Sequence, residues 1–178
     1  LTEETLAIRN IRLTGDEILT KTSRKVDTVD DRIKMILEDM ADTMYAANGL
    51  GLAAVQVGVL RRLVVIDIGD GLLKLVNPEI TYREGEETDI EGCLSVPGYQ
   101  GNVKRPVKVR MRALDENGAQ IEIEAEGLMK KAICHELDHL DGIMYTDIAE
   151  NLVEISQLEA EEDDEGADEG SGEKTEQA

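Results

Sequence analysis

Both histidines of the chain stand in one nine-residue stretch, Cys134-His135-Glu136-Leu137-Asp138-His139-Leu140-Asp141-Gly142. They are four residues apart, and on a helix positions i and i+4 project from one face. Two imidazoles on one face can grip a single metal ion. The glutamate after the first histidine can then take a proton from a water that the ion activates. The stretch therefore predicts a helix carrying a hydrolytic metal site. A catalytic site of this kind usually has three protein ligands and an open position. The location of the third ligand decides which enzyme this is.

A chain of 178 residues is one domain of ordinary size, large enough to bury a core. No apolar run approaches the roughly 20 residues that span a membrane. The longest, Leu63 to Ile68, is strand-sized and carries an aspartate. The start, Leu1-Thr-Glu-Glu-Thr, is acidic and polar and does not read as a signal peptide. Two cysteines, Cys93 and Cys134, are too few for a disulfide scaffold, and a reducing cytoplasm is the expected setting. The formal net charge is −20, and residues 150–178 hold twelve acids against one lysine, more than half of that excess. Such a field disfavours direct nucleic-acid binding. With no Phe or Trp and four Tyr, base-stacking platforms are poorly supplied too.

Residues 7–26 read as irregular or extended, with Ile18 and Leu19 as anchors of a wrapped N-terminal arm. Thr28 or Asp30 can cap a helix running to about Ala47. Its apolar stripe is Ile33, Ile36, Leu37, Met40, Ala41, Met44 and Tyr45, and Asn48-Gly49 stops it. This helix reads as core scaffold. Arg62 to Ile68 reads as a buried strand, returned after Gly69-Asp-Gly71 by Leu72 to Val76, with Asn77-Pro78 ending the run. Residues 81–89 read as an exposed strand or loop. Val107 to Leu114 alternates, Glu116-Asn-Gly118 turns, and Ile121, Ile123 and Ala125 return. The facing Lys/Arg and Glu rows suggest cross-strand charge pairs on a solvated face. The metal helix spans Gly127 to about Leu140. A short helical piece is expected between Ala149 and Glu159. Beyond Glu161 the acids, Gly, Ser and Thr predict disorder.

Two further segments are unusual. Gly49-Leu-Gly-Leu-Ala-Ala-Val-Gln56-Val-Gly58 has three glycines and two alanines in ten residues, a backbone that a substrate or another chain can approach closely. It lacks the Gly-Lys-Ser/Thr ending of a phosphate loop. Gln56 is its one long polar side chain and, taken alone, reads as a surface or backbone-bonding residue. The other segment is Glu91-Gly-Cys-Leu-Ser-Val-Pro-Gly98. Alone, Cys93 reads as a buried, inert thiol. Beside the histidine pair it offers the missing ligand: one thiolate and two imidazoles complete a tetrahedral site with room for water.

Taken in order, Gly49-Leu-Gly-Leu-Ala-Ala-Val-Gln56, Glu91-Gly-Cys-Leu-Ser95 and His135-Glu-Leu-Asp-His139 resemble the three motifs of the peptide deformylases. The resemblance covers roughly residues 7–150. It implies an α+β fold, with antiparallel sheets packed around a C-terminal metal-binding helix and the N-terminal helix outside. It implies removal of the formyl group from N-formylmethionyl nascent peptides, releasing formate. Cys93, His135 and His139 match the family's metal ligands, and Glu136 its general acid/base. Gln56 and the backbone N–H of Leu94 match the donors to the formyl oxygen. Gly51, preceded by Gly49 and Leu50, matches the backbone that pairs with the substrate main chain. Glu91 and Arg105 match a supporting ion pair. The resemblance implies one divalent ion, natively Fe2+, with Zn2+, Ni2+ or Co2+ tolerated, and a monomer in transient contact with the ribosome.

Three features depart from the family pattern. Val55 stands where proline or threonine is frequent, and Cys134 where glutamine is common. Cys134 points about 100° away from His135 around the helix and reads as packing. The acidic tail has the wrong sign for the basic C-terminal helix by which some members dock on the ribosome. A division follows into a catalytic domain, 1–150, and a C-terminal piece, 151–178. The runner-up is a zinc endopeptidase taking Glu154 or Glu159 as its third ligand, which leaves the Cys93 and Gln56 segments without a purpose. An inactive metal-binding homologue is the reading from outside the enzymes.

Overall fold

A computed structural model describes residues 7–168, with side chains of the last helix up to 162. In chain order the elements are α1 (Asp31–Ala46), β1 (Gly51–Ala53), β2 (Leu63–Ile66), β3 (Leu73–Glu84), β4 (Glu87–Cys93), β5 (Val96–Arg105), β6 (Lys108–Leu114), β7 (Gln120–Glu126), α2 (Gly127–Leu140), α3 (Tyr145–Ile148), β8 (Glu150–Glu154) and α4 (Ile155–Asp168). Short 3-10 turns lie at Glu17–Thr20 and Ala54–Val57.

The strands form two antiparallel sheets, one ordered β1-β2-β3-β6-β7 and one ordered β4-β5-β8. The five-stranded sheet lies between α1 and α2. Leu63 and Val65 of β2 join Ile33, Ile36, Leu37, Met40 and Met44 of α1 in one core. Val64 and Ile66, on the opposite face, join Ile133, Cys134, Leu137 and Leu140 of α2. A strand buried on both faces needs an unbroken apolar run, which is what Leu63 to Ile66 supplies. The expected α+β architecture, with α2 at the centre and α1 outside, is the one observed.

Several local expectations change. Asp30 caps α1, accepting the Ile33 N–H at 2.9 Å. Tyr45 does not belong to its buried stripe. It is 48% exposed, and its hydroxyl donates to Asp67 Oδ2 at 2.6 Å. It follows the fully buried Met44, and one residue is about 100° around a helix. Asn77-Pro78 does not end β3. Asn77 adopts a left-handed φ of 51° at a register shift, where the strand absorbs the proline and continues. The Asn77 amide repays that conformation by bonding both backbone groups of Val26 at 2.8 Å.

Residues 150–154 are strand β8, paired with β5, so helix begins at Ile155 and not near Ala149. β5 itself was not anticipated. Pro97, Gly98 and Gly101 lie in it and mask its strand character. Disorder was expected beyond Glu161, but helix α4 continues to Asp168; the rest of that expectation, 169–178, lies outside the described residues.

Candidate active site

Three segments far apart in sequence meet at α2. The helix presents His135 and His139, both buried. Their Nε2 atoms are 3.3 Å apart, and Cys93 Sγ lies 3.4 Å from His139 Nε2. The ligand atoms of Cys93, His135 and His139 all fall within 4.8 Å of one another. Nitrogen bonds of about 2.0–2.1 Å and a sulfur bond of about 2.3 Å at tetrahedral angles require edges of about 3.3 and 3.5 Å. The His135–His139 and Cys93–His139 edges match these lengths, so the triad suits one tetrahedral divalent ion, and its donor set suits zinc-like and ferrous ions. Burial, reinforced by repulsion from His135, holds the His139 imidazole well below its ordinary pKa and so keeps a lone pair available. Burial also acts against protonation of His135, but hydrogen bonds to Cys93 and Glu91 outweigh it and move that group upward.

The surroundings orient the ligands. Glu91 Oε1 is 2.8 Å from His135 Nδ1, which leaves Nε2 turned to the metal position. Arg105 donates to both Glu91 oxygens, at 2.6 and 2.9 Å, and to Asp138 Oδ2 at 2.6 Å. Burial raises the Glu91 carboxyl, yet Arg105 and His135 prevail and hold it at about 2. The expected Glu91–Arg105 pair is thus present and reaches further than expected, to a ligand on one side and to Asp138 on the other. A register shift between Glu91 and Cys93 breaks the β4–β5 ladder at the ligand. Bulges of this kind re-aim side chains beside sites.

Gln56 is buried, with its orientation set at both ends. Its Oε1 accepts the Ala53 N–H at 3.0 Å, and its Nε2 faces Ser95 Oγ at 3.0 Å and Cys93 Sγ at 3.6 Å. The N-terminal arm fastens the two loops together: Arg12 N–H donates to Gln56 O at 2.7 Å and Thr14 N–H to Ser95 O at 2.8 Å. Glu136 is 4% exposed, and its Oε2 has no hydrogen-bond partner among the described residues. Burial lifts its carboxyl to about 7, with His135 lowering and Glu91 raising it. A Cβ added to Gly51 would sit 2.7 Å from Glu136 Oε1, so only glycine lets β1 pass the carboxylate.

Gly51, Gln56, Glu91, Cys93, His135 and Glu136 line a cavity of about 330 Å³ together with Gly49, Leu50, Leu94, Tyr99, Leu128 and Ile155. It opens beside β1 and β4, each the edge strand of its sheet. An extended peptide can add to such an edge. All the residues anticipated for the site, Gln56, Cys93, Leu94, His135, Glu136, His139, Gly49, Leu50 and Gly51, are brought to this cavity or its metal triad. Cys134 is not among them. It packs in the core, and burial raises its thiol to about 11. Glu154 and Glu159 are also outside the triad, and Glu154 instead accepts the Tyr99 hydroxyl at 3.0 Å.

Asp138 and Ser95 stand inside the motifs, but neither is assigned a role from the sequence. Ile155 was missed for a different reason. The acidic segment gave no sign that its first helical residue reaches the cavity.

Comparison with known proteins agrees with this geometry. The family described as polypeptide deformylase matches residues 8–154. A peptide deformylase of Acetivibrio thermocellus is 58% identical over 154 residues, 86% of this chain and 91% of that protein. One from Caldicellulosiruptor bescii is 54% identical over 154 residues, 86% of this chain and 93% of that protein. Among solved structures, the peptide deformylase of Thermotoga maritima superposes with a TM-score of 0.78 at 35% identity, over 80% of this chain and 98% of that one. That of Synechococcus elongatus, in complex with actinonin, gives 0.78 at 38% identity, over 93% of this chain and 88% of that one. The Cys93–His135–His139 triad, the Gln56 loop and the fold around them therefore belong to a member of the peptide deformylase family.

Proposed function

We propose that the protein hydrolyses the N-formyl group of N-formylmethionyl nascent peptides, releasing formate and a free amine. The observation that carries this reading is the convergence of the Cys93 sulfur and two imidazoles within 4.8 Å, with the Glu136 carboxyl beside them in a cavity along two strand edges. Cys93, His135 and His139 hold one divalent ion. When bound, that ion supplies Lewis acidity, which acidifies water and polarises the formyl carbonyl.

The chain's own residues do the rest. Glu136 takes the proton of the attacking water and returns one to the leaving amine, a role suited to a carboxyl near neutrality. Gln56 Nε2 and the Leu94 N–H donate to the formyl oxygen as negative charge builds there. One such donor typically lowers a barrier by about 2.7–4 kcal/mol. Gly51 pairs through its backbone with the substrate main chain, and Gly49 and Leu50 line its path. Fe2+ is the native metal in this reading, with Zn2+, Ni2+ and Co2+ as substitutes. The protein acts as a monomer in the cytoplasm, in transient contact with the ribosome. Residues 1–150 form its catalytic unit, completed by β8 and Ile155, and the acidic segment follows.

Metal analysis combined with an oxygen-free assay of ferrous protein on formyl-Met-Ala tests this. Formate release is expected, with metal lost in Cys93→Ala and metal kept but turnover lost in Glu136→Ala. An absence of formate release would favour an inactive metal-binding homologue. Full metal and activity in Cys93→Ala would sink the ligand assignment.

A further inference from the structure

Lys130 is a buried charge that this chemistry leaves unused. Its side chain has no exposure to solvent, and its Nζ lies 2.6 Å from Glu87 Oε1 and 2.5 Å from Asp89 Oδ2. Burial works against the ammonium, and the two carboxylates outweigh it. A lysine this enclosed is uncommon unless it is paired.

The place of the pair in the fold gives it meaning. Glu87, Asp89, Glu91 and Cys93 alternate along β4 and so project from one face of the strand. Each of them meets α2. Glu87 and Asp89 take Lys130, Glu91 takes His135 and Cys93 approaches His139. Lys131 adds a bond from its Nζ to the Ile90 carbonyl at 2.9 Å. Residue numbers rise together on the two elements, so strand and helix run in the same sense. Two residues of strand advance about 6.6 Å and four residues of helix about 6 Å. The Glu91–His135 and Cys93–His139 contacts therefore share one register, with Lys130 beneath them.

β5 holds β4 through five consecutive pairs from Glu87 to Glu91, but that run stops before Cys93. β4 is an edge strand, and its ladder to β5 is broken between Glu91 and Cys93. A slip of one residue would turn Cys93 to the other face. Resting on the metal-centre reading above, we propose that Lys130 is a positioning residue: with Glu87 and Asp89 it locks β4 against α2 and so sets the distance from Cys93 to His135 and His139.

Cobalt-loaded protein tests this without recourse to turnover. The thiolate-to-cobalt absorption band reports Cys93 ligation, and its decay in excess EDTA reports metal release. Lys130→Met is expected to release cobalt about tenfold faster than wild type, the lower end of the range for groups that orient ligands. Lys130→Arg, which can keep both ion pairs, is expected to restore the wild-type rate. Ile36→Val, in the α1 core, serves as a control for general destabilisation and is expected to release cobalt as wild type does. If Lys130→Met fails to fold, the Glu87→Gln/Asp89→Asn protein makes the same test from the partly exposed side of the clamp. Equal release from wild type and the clamp variants, or equal acceleration in Ile36→Val, would overturn the proposal. Acceleration in Lys130→Arg as large as in Lys130→Met would overturn it as well. A wild-type protein without the band would overturn the metal centre itself, which separates the two failures.

Discussion

Two of the arginine–glutamate pairs lie in opposite surroundings. On the open face of β6 and β7, Arg110 Nε lies 3.0 Å from Glu124, and both side chains are about half exposed. Beneath the metal centre, Arg105 Nε lies 2.6 Å from Glu91, with side chains 6% and 2% exposed. Water competes for the first pair and salt screens it, so its net worth is small. The second pair has exchanged water for Asp138 and His135. It offers little net stability over an apolar substitute, but it cannot lose one member without stranding a buried charge. Burial, more than separation, decides what the two pairs are worth.

The sharpest break of this comparison is Arg105→Ala. It leaves Glu91 buried beside an unsupported His135 and also frees Asp138. A loss of about 3–5 kcal/mol in unfolding free energy is expected, together with loss of metal. Urea denaturation and metal content measure the two effects. A shift no larger than that of a surface variant would mean that water reaches Glu91.

Glu91→Gln comes next. Arg105 keeps Asp138, so the fold suffers less, but the charged partner of His135 Nδ1 is gone. Removing such a partner typically weakens metal affinity 10–100-fold. Competition against a chelator should show that drop, with a smaller change in urea midpoint than Arg105→Ala gives. Unchanged affinity would mean that β4 geometry alone orients the imidazole.

The difference between the two pairs also explains what the sequence revealed. The surface rows were legible because alternation is a local signal: Lys108, Arg110 and Arg112 face Glu126, Glu124 and Glu122 in register. Even there Arg112 turns to Glu79 across β3, at 2.9 Å. The ligands were legible for a similar reason, since His135 and His139 declare themselves by a spacing of four. Cys93 and Gln56 stand in short segments of odd composition, and the family resemblance tied them to the histidines. Nothing local marks Lys130 as the partner of Glu87 and Asp89, 43 and 41 positions away, or Asp138 as that of Arg105, 33 positions away; these pairs meet through tertiary packing alone. β5 stayed hidden because Pro97 and Gly98 read as a turn, whereas pairing with β4 and β8 makes the segment a strand.

Asp138→Asn sits between the extremes. Asp138 is 26% exposed on its side chain and takes one bond from Arg105. Asparagine keeps an acceptor and loses the charge, so a cost of about 1 kcal/mol is expected, with metal retained. A loss as large as that of Arg105→Ala would place the Asp138 charge on equal terms with Glu91.

The smallest effect belongs to Arg110→Ala, and it is the control that gives the series its meaning. Glu124 loses Arg110 but keeps Lys108, whose Nζ lies 3.3 Å away, and water solvates the rest. The urea midpoint and metal content are expected to stay at wild-type values, and added salt should leave the comparison unchanged. Some packing is lost as well, because Arg110 stacks over the Tyr82 ring at 4.7 Å. A measurable shift that salt does not reduce would therefore point to that stacking. A shift that salt abolishes would mean that the exposed row is worth more than its solvation suggests, and burial would no longer be what separates the two pairs.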